Sequence, residues 1–250
     1  MNSKYMRTVN ATYGGIKVAQ SKKNTMANQW PKSVASQWGI FIPPARPSIS
    51  ELAVIEQYLL WRKKENNNLR VAILGSTPEY RDVCQRHGIF YRCIDYSNEN
   101  FATLRQYMCH KDTDECLLPS DWRNMNFPDI FDIFLGDLAT TVTPVSDHAG
   151  MFAQIAAHLS ARGEVLLKVA LREDDTRLSY DEIFTRYRSE YSYLPPFAAG
   201  WREVLLADYD FSAYTMNCRK SEAALRASRG AGIITEAEYQ SFKLRWDALG

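Results

Sequence analysis

Two stretches of the chain carry side chains whose types and spacing could hold a small nucleotide-like ligand. The first is a glycine turn, Gly75-Ser76-Thr77, which follows the apolar run Val71–Leu74. The second is Asp95, an acid at the end of the next apolar run, Ile89–Ile94. A glycine turn between a buried strand and a helix N-terminus is how α/β folds hold such ligands. A carboxylate at the tip of the next strand can accept both hydroxyl protons of a ribose.

The composition of the turn argues against a pyrophosphate ligand. Gly75-Ser-Thr-Pro-Glu79 has a single glycine where the dinucleotide pattern is GxGxxG. The second glycine of that pattern lets the backbone approach a pyrophosphate, but Thr77 and Pro78 leave no such space, and the Glu79 carboxylate would repel phosphate. S-adenosylmethionine fits better, because it has no phosphate and carries a sulfonium and an ammonium that tolerate carboxylates. An NAD-linked oxidoreductase stays open as the disfavoured alternative.

The elements that must position these residues alternate between strand and helix, which is typical of a parallel sheet. The predicted strands are Val71–Leu74, Ile89–Ile94, Cys116–Leu118, Phe131–Leu135 and Val165–Val169. The predicted helices begin at the caps Ser48, Thr77, Ser97, Ser146, Ser179 and Thr235. The fourth of these is expected to end at Gly163, whereas the segment Trp201–Phe211 fits either a strand or a helix.

Over about residues 46–170 the order and spacing of four motifs resemble those of class I S-adenosylmethionine-dependent methyltransferases. The motifs are Val71–Glu79 for the glycine loop, Cys93–Ser97 for the ribose acid, Ser120–Trp122 for the adenine loop and Phe131–Asp137 for the strand whose end faces the methyl group. The resemblance implies an α/β fold with a doubly wound, mostly parallel seven-stranded sheet, the cofactor at the strand carboxyl ends, and helical lid elements at both ends of the chain. The GSTPE turn departs from the more open GxGxG loop of some relatives.

The same resemblance implies a set of cofactor-binding residues. These are Arg46, Gly75, Ser76, Thr77, Asp95, Tyr96, Ser97, Asp121, Trp122 and Asp137. Asp95 would bind the ribose, Tyr96 would flank the adenine, and Asp121 would accept from the exocyclic amine with Trp122 beside the ring. Arg46 could pair with the cofactor carboxylate. The alternatives are a loop acid and a core indole for Asp121-Trp122, and a surface arginine for Arg46.

Methyl transfer to an oxygen or nitrogen is an in-line displacement that is helped by a base. Asp137 and His148 are the candidate catalytic residues. The alternative for His148 is a capping or surface role, and for Asp137 a role in positioning the substrate or cofactor. The NPPY motif of adenine and amide methylation is absent, since Gly136–Ala139 stands in its place. A small-molecule acceptor is therefore predicted. The aromatic residues after position 171 suit an aromatic acceptor, a core or a dimer interface equally.

Charge is distributed unevenly along the 250 residues, whose net charge is +1. Residues 1–50 hold seven lysines and arginines and no acid, which predicts a lid or leader and, with few interleaved aromatics, only weakly favours nucleic acid. We expect a basic arm at 1–47, a cofactor-binding domain at 48–218 and a helical segment at 219–250.

The five cysteines lack metal-ligand spacing. No apolar run approaches the length of a membrane span and no secretory signal is evident, so a cytoplasmic protein is expected. A homodimer and a catalytically degenerate partner subunit remain open.

Overall fold

A computed structural model describes residues 35–41, 43–111, 115–169, 177–210 and 218–249. The first 34 residues, most of the predicted basic arm, lie outside these ranges. The strands are β1 (Arg70–Leu74), β2 (Phe90–Asp95), β3 (Leu117–Pro119), β4 (Phe131–Asp137) and β5 (Leu159–Lys168). The helices are α1 (Ile49–Glu65), α2 (Pro78–Arg86), α3 (Asn98–Leu104), α4 (Ala139–Val142), α5 (His148–Ala157), α6 (Tyr180–Arg186), α7 (Pro196–Ala207), α8 (Cys218–Gly230) and α9 (Glu236–Leu249). No helix in the described ranges has the length and apolar character to cross a membrane.

All strand pairs of the sheet are parallel, in the order β3-β2-β1-β4-β5. The order reverses between β1 and β4, and ligands of open α/β sheets bind outside the carboxyl ends of the strands at such a point. Leu74 pairs with Ile94 on one side and with Gly136 on the other, so the ends of β1, β2 and β4 lie side by side. The predicted doubly wound α/β fold is confirmed.

The sheet has five strands in the described ranges rather than the expected seven. After β5 the elements named in the described ranges are helices. The undecided segment Trp201–Phe211 begins inside one of them, since α7 runs to Ala207. Alternating apolar side chains cannot distinguish a returning strand from a helix in a segment so rich in aromatics.

Both faces of the sheet are covered by helices. Val71 and Ile73 of β1 face a core that includes Leu59 of α1, whereas Ala72 and Leu74 face a second core that includes Met151 of α5. This alternation follows from the period of two in a strand. The strands β1 and β4 are therefore mostly buried on both faces, which leaves their carboxyl ends as a place for a ligand.

The predicted boundary between α5 and β5 is wrong. The helix expected to end at Gly163 ends at Ala157, and β5 already begins at Leu159. The amide of Phe131 donates to the His158 carbonyl at 2.8 Å, and the Ser160 hydroxyl donates to Asp132 at 2.9 Å. Because of these hydrogen bonds to β4, the helix ends and the strand begins earlier than Gly163 suggests. The register between β4 and β5 shifts between Phe131 and Ile133.

The helices after β5 share an apolar core of their own. Its buried members are Ile183, Phe184, Val204, Leu225, Ile234, Tyr239 and Phe242. This core includes residues on both sides of position 218, where the sequence placed a domain boundary. The division into 1–47, 48–218 and 219–250 stays a prediction.

Candidate functional site

The glycine turn after β1 adopts a conformation that favours glycine. Gly75 has φ +85°, in the left-handed region where a side chain is strained. Its amide donates to the carbonyl of Ile94 at 2.9 Å, which continues the pairing of β1 with β2 beyond the last strand residue. The turn is thereby held against the end of β2, where Asp95 stands.

The start of α2 is a poor anion site. Thr77 occupies the N-cap position without a side-chain capping bond, and Pro78 opens the helix. Proline has no amide hydrogen to offer a phosphate, and Glu79 adds a negative charge in the first turn. The structure thus agrees with the sequence argument that this turn does not suit a pyrophosphate.

Asp95 ends β2 and is held from both sides. Its Oδ2 accepts from the Ser76 hydroxyl at 3.1 Å, and its Oδ1 accepts from the amide of Ser97 at 3.1 Å. Burial raises the pKa of Asp95, while the bonds from Ser97, Ser76 and the Tyr96 amide oppose that rise. The Tyr96 ring beside it is 38% exposed. The hydroxyl of Ser97 is used locally, because it caps α3 by accepting from the amide of Asn100 at 3.0 Å.

The loop after β3 places the ring of Trp122 near the glycine turn, whereas it pairs the carboxylate of Asp121 with Arg123. The indole Nε1 of Trp122 donates to the Ile94 carbonyl at 2.6 Å, and its ring would lie 3.7 Å from a side chain added at Gly75. Both carboxylate oxygens of Asp121 accept from the guanidinium of Arg123, at 2.6 to 3.1 Å. Those bonds lower the pKa of Asp121. To accept from an adenine amine, Asp121 would have to share its oxygens with Arg123.

Asp137, at the end of β4, faces Lys168, at the end of β5. The two residues are register partners, and Nζ of Lys168 lies 3.3 Å from Oδ1 of Asp137. The Asp137 side chain is 3% exposed. Its Oδ1 is one of three buried side-chain polar atoms in the described ranges that lack a hydrogen bond. Burial raises the pKa of Asp137 to about 6, although the charge of Lys168 opposes the rise.

The residues before α1 lie across this edge of the sheet. The Arg46 guanidinium forms an ion pair with Glu79 at the start of α2, and the indole of Trp38 donates to the same carboxylate at 3.0 Å. Lys168 donates to the Arg46 carbonyl at 3.1 Å and lies 3.4 Å from Glu51 of α1. Arg46 therefore has a protein partner in place of the cofactor carboxylate that the resemblance implied for it.

His148, the second candidate base, begins α5 and binds the turn that precedes it. Its Nε2 lies 2.9 Å from the carbonyl oxygens of Thr140 and Thr143. Since both partners are acceptors, Nε2 carries the proton, and only Nδ1 of the neutral ring could take another. The His148 side chain therefore holds the turn that precedes α5.

Sequence reasoning missed several residues that build this site. Lys168 could have been noticed as the charged residue that ends an apolar strand, next to Asp137 in the sheet. Arg81 of α2 gives no such signal. Its side chain is fully buried, binds Glu115 at 2.7 and 2.8 Å, and donates to the Ser76 carbonyl at 3.4 Å. The buried pair of Arg81 and Glu115 thus binds the backbone of the glycine turn through Arg81. Among the described residues, no cluster of three or more His, Cys, Asp and Glu side chains could hold a metal ion.

Comparison with known proteins finds methyltransferases among the solved structures. CcbJ from Streptomyces caelestis matches at 13% identity and a TM-score of 0.47, over 58% of this chain and 59% of that one. CalS10, an amino pentose methyltransferase from Micromonospora echinaspora, matches at 17% identity and a TM-score of 0.41, over 50% and 51%. The glycopeptide N-methyltransferase MtfA, complexed with S-adenosyl-L-homocysteine, matches at 14% identity and a TM-score of 0.42, over 57% and 62%.

The chain spans about half the length of the solved structures that it matches. No family model matches the chain, and no curated protein matches it in sequence. Likeness at these scores assigns no activity, so the function has to be argued from the residues at the carboxyl edge of the sheet.

Proposed function

We propose that this chain transfers the methyl group of S-adenosylmethionine to an oxygen or nitrogen of a small-molecule acceptor by in-line displacement. The observation that carries the proposal is the joined pair of Ser76 and Asp95, which sets a partly buried carboxylate beside a left-handed glycine turn at the carboxyl ends of β1 and β2. That arrangement suits a ribose diol, and the proline and glutamate that open α2 disfavour a pyrophosphate.

The residues present fit this cofactor. Asp95 would accept the ribose hydroxyls, the exposed ring of Tyr96 would flank the base, and the turn at Gly75 would lie under the methionine part. S-adenosylmethionine would supply an electrophilic methyl carbon on a sulfonium. Asp137 at the neighbouring strand end offers a buried carboxylate whose Oδ1 faces the Lys168 ammonium, and a donor group of a ligand would share that oxygen with Lys168.

In the proposed reaction, a lone pair of the acceptor forms the new bond to the methyl carbon while the carbon–sulfur bond breaks towards sulfur. The acceptor proton passes to a base. Asp137 is the first candidate, because a raised pKa of about 6 leaves it ionised at neutral pH and close to the working range of a general base. His148 could act only through Nδ1.

The proposal is tested by isothermal titration calorimetry of the full chain with S-adenosylmethionine, S-adenosylhomocysteine and NADH. We expect one-to-one binding of the first two and none of NADH. Binding of NADH alone would overturn the proposal. Binding of none of the three would overturn the proposal in favour of a degenerate partner subunit.

A further inference from the structure

A single ammonium group connects four elements at the carboxyl edge of the sheet. Nζ of Lys168 at the end of β5 lies 3.3 Å from Asp137 of β4, 3.1 Å from the Arg46 carbonyl before α1, and 3.4 Å from Glu51 of α1. Its side chain is 12% exposed. A largely buried lysine that is shared in this way both compensates a charge and holds the chain segment whose carbonyl it binds.

The charged groups that act on Asp137 lie in β5, α2 and α1. Lys168 of β5 supplies the cation, and the charges of Glu79 in α2 and Glu51 in α1 raise its pKa as like charges do. The buried Tyr80 of α2 lies in the same field, because burial and the charges of Asp137, Glu51 and Glu79 raise its pKa. The guanidinium of Arg46 forms an ion pair with Glu79.

We propose that Lys168 is a positioning residue of this site: its charge keeps the buried Asp137 carboxylate ionised at neutral pH, and its bond to Arg46 holds the segment before α1 across the strand ends. The inference rests on the proposed function only where it concerns the role of the Asp137 carboxylate as a base. The electrostatic relationship between the two residues does not depend on any ligand.

Two routes could connect Lys168 to Asp137, and they make opposite predictions for a second variant. Through charge, removal of Lys168 raises the pKa of Asp137, while removal of the like charge of Glu79 lowers it. Through the covering segment alone, both removals act in one direction. Each of them loosens Arg46, one at its carbonyl and the other at its guanidinium.

The experiment is a ¹³C NMR titration of the full chain labelled at the aspartate carboxyl carbon, with the Asp137 resonance identified by its loss in Asp137→Asn. In the unsubstituted chain we expect a midpoint of about 6. In Lys168→Met the midpoint should rise by about one to two pH units, the scale of a lost neighbouring opposite charge. In Lys168→Arg it should stay close to the unsubstituted value, and in Glu79→Gln it should fall.

A midpoint that does not move in Lys168→Met, or that moves in the same direction in Lys168→Met and Glu79→Gln, would overturn the inference. If Lys168→Met fails to fold, Glu79→Gln still tests the charge route, since a rise of the midpoint in that variant contradicts it. The titration needs no ligand, so a chain that shows these shifts but does not bind S-adenosylhomocysteine would sink the proposed function and leave this inference standing.

Discussion

The hydroxyl of Ser76 donates to Oδ2 of Asp95 across 3.1 Å and so joins the glycine turn after β1 to the acidic tip of β2. A carboxylate offers about four lone-pair directions, and the donors from Ser76 and the following backbone amides use only part of them. Ser76 thus orients the Asp95 carboxylate without saturating it, and about one lone-pair direction is left for a hydroxyl group of a ligand.

Substitution of Asp95 tests that capacity directly. We expect Asp95→Ala to weaken S-adenosylhomocysteine by about 1.5–3 kcal/mol, or about 10- to 150-fold in Kd, because hydrogen bonds to a charged group are lost. Calorimetry on both proteins measures the effect. The exposed Asp181→Ala in the first turn of α6 serves as the control and should bind normally. An unchanged affinity in Asp95→Ala would place the ribose elsewhere.

A side chain at Gly75 is expected to strain the backbone and to lower the stability of the fold. Gly75→Ala should lower the free energy of unfolding by about 1–2 kcal/mol, because alanine is strained at φ +85°. The cause is backbone strain rather than a clash, since the nearest atom to an added Cβ, on Trp122, is 3.7 Å away. Urea denaturation measures this loss. Gly150→Ala, inside α5 and with nothing within 4 Å of its Cβ position, should instead gain about 0.5–1 kcal/mol.

The pair of Arg81 and Glu115 should be the most sensitive ion pair near the site. Both side chains are almost fully buried, at 0% and 2% exposed, so Arg81→Met leaves a buried carboxylate without its bidentate partner and should cost about 3–5 kcal/mol. The double variant Arg81→Met/Glu115→Met should recover much of that loss. Arg226→Met, which breaks an exposed pair with Glu222, should change little. Equal effects of Arg81→Met and Arg226→Met would contradict the prediction.

Asp137 should make the stability of the chain depend on pH. Its folded pKa of about 6 lies above the ordinary value of 3.8, so the folded state binds more protons between these values. The stability contributed by its protonated form is complete below 3.8 and is lost as the pH rises through 6. We therefore expect Asp137→Asn to gain about 1–2 kcal/mol relative to the unsubstituted chain between pH 5 and pH 7.5. Urea unfolding of both proteins at the two pH values measures this difference. A relative stability of Asp137→Asn that is larger at pH 5 than at pH 7.5 would contradict the prediction.

His148 is expected to stabilise the turn before α5 whether or not it takes part in catalysis. His148→Ala removes the ring nitrogen that reaches the carbonyls of Thr140 and Thr143, which should cost about 1 kcal/mol of stability. Binding of S-adenosylhomocysteine should stay within about twofold of the unsubstituted chain. A tenfold loss of that binding would show that His148 contacts the cofactor.

The sequence predicted the α/β fold and the positions of most strands, because those signals are local. Apolar runs, capping residues and a glycine after β1 suffice to place Gly75 and Asp95 at strand ends, and parallel strands bring their carboxyl ends to one edge. The helix boundary near Gly163 was wrong, since it depends on hydrogen bonds to residues far along the chain, such as that of Ser160 with Asp132, and the expected seven strands stay a prediction.

What the sequence by itself determined is a set of acidic and glycine positions compatible with a phosphate-free nucleoside ligand. Only the tertiary structure decided which charges meet. Lys168 reaches Asp137 because β4 and β5 are register partners, Arg46 is paired with Glu79 across 33 positions, and Arg123 rather than an open space faces Asp121. Side-chain pairing between distant segments follows from how the elements pack, and no local pattern of residues encodes it.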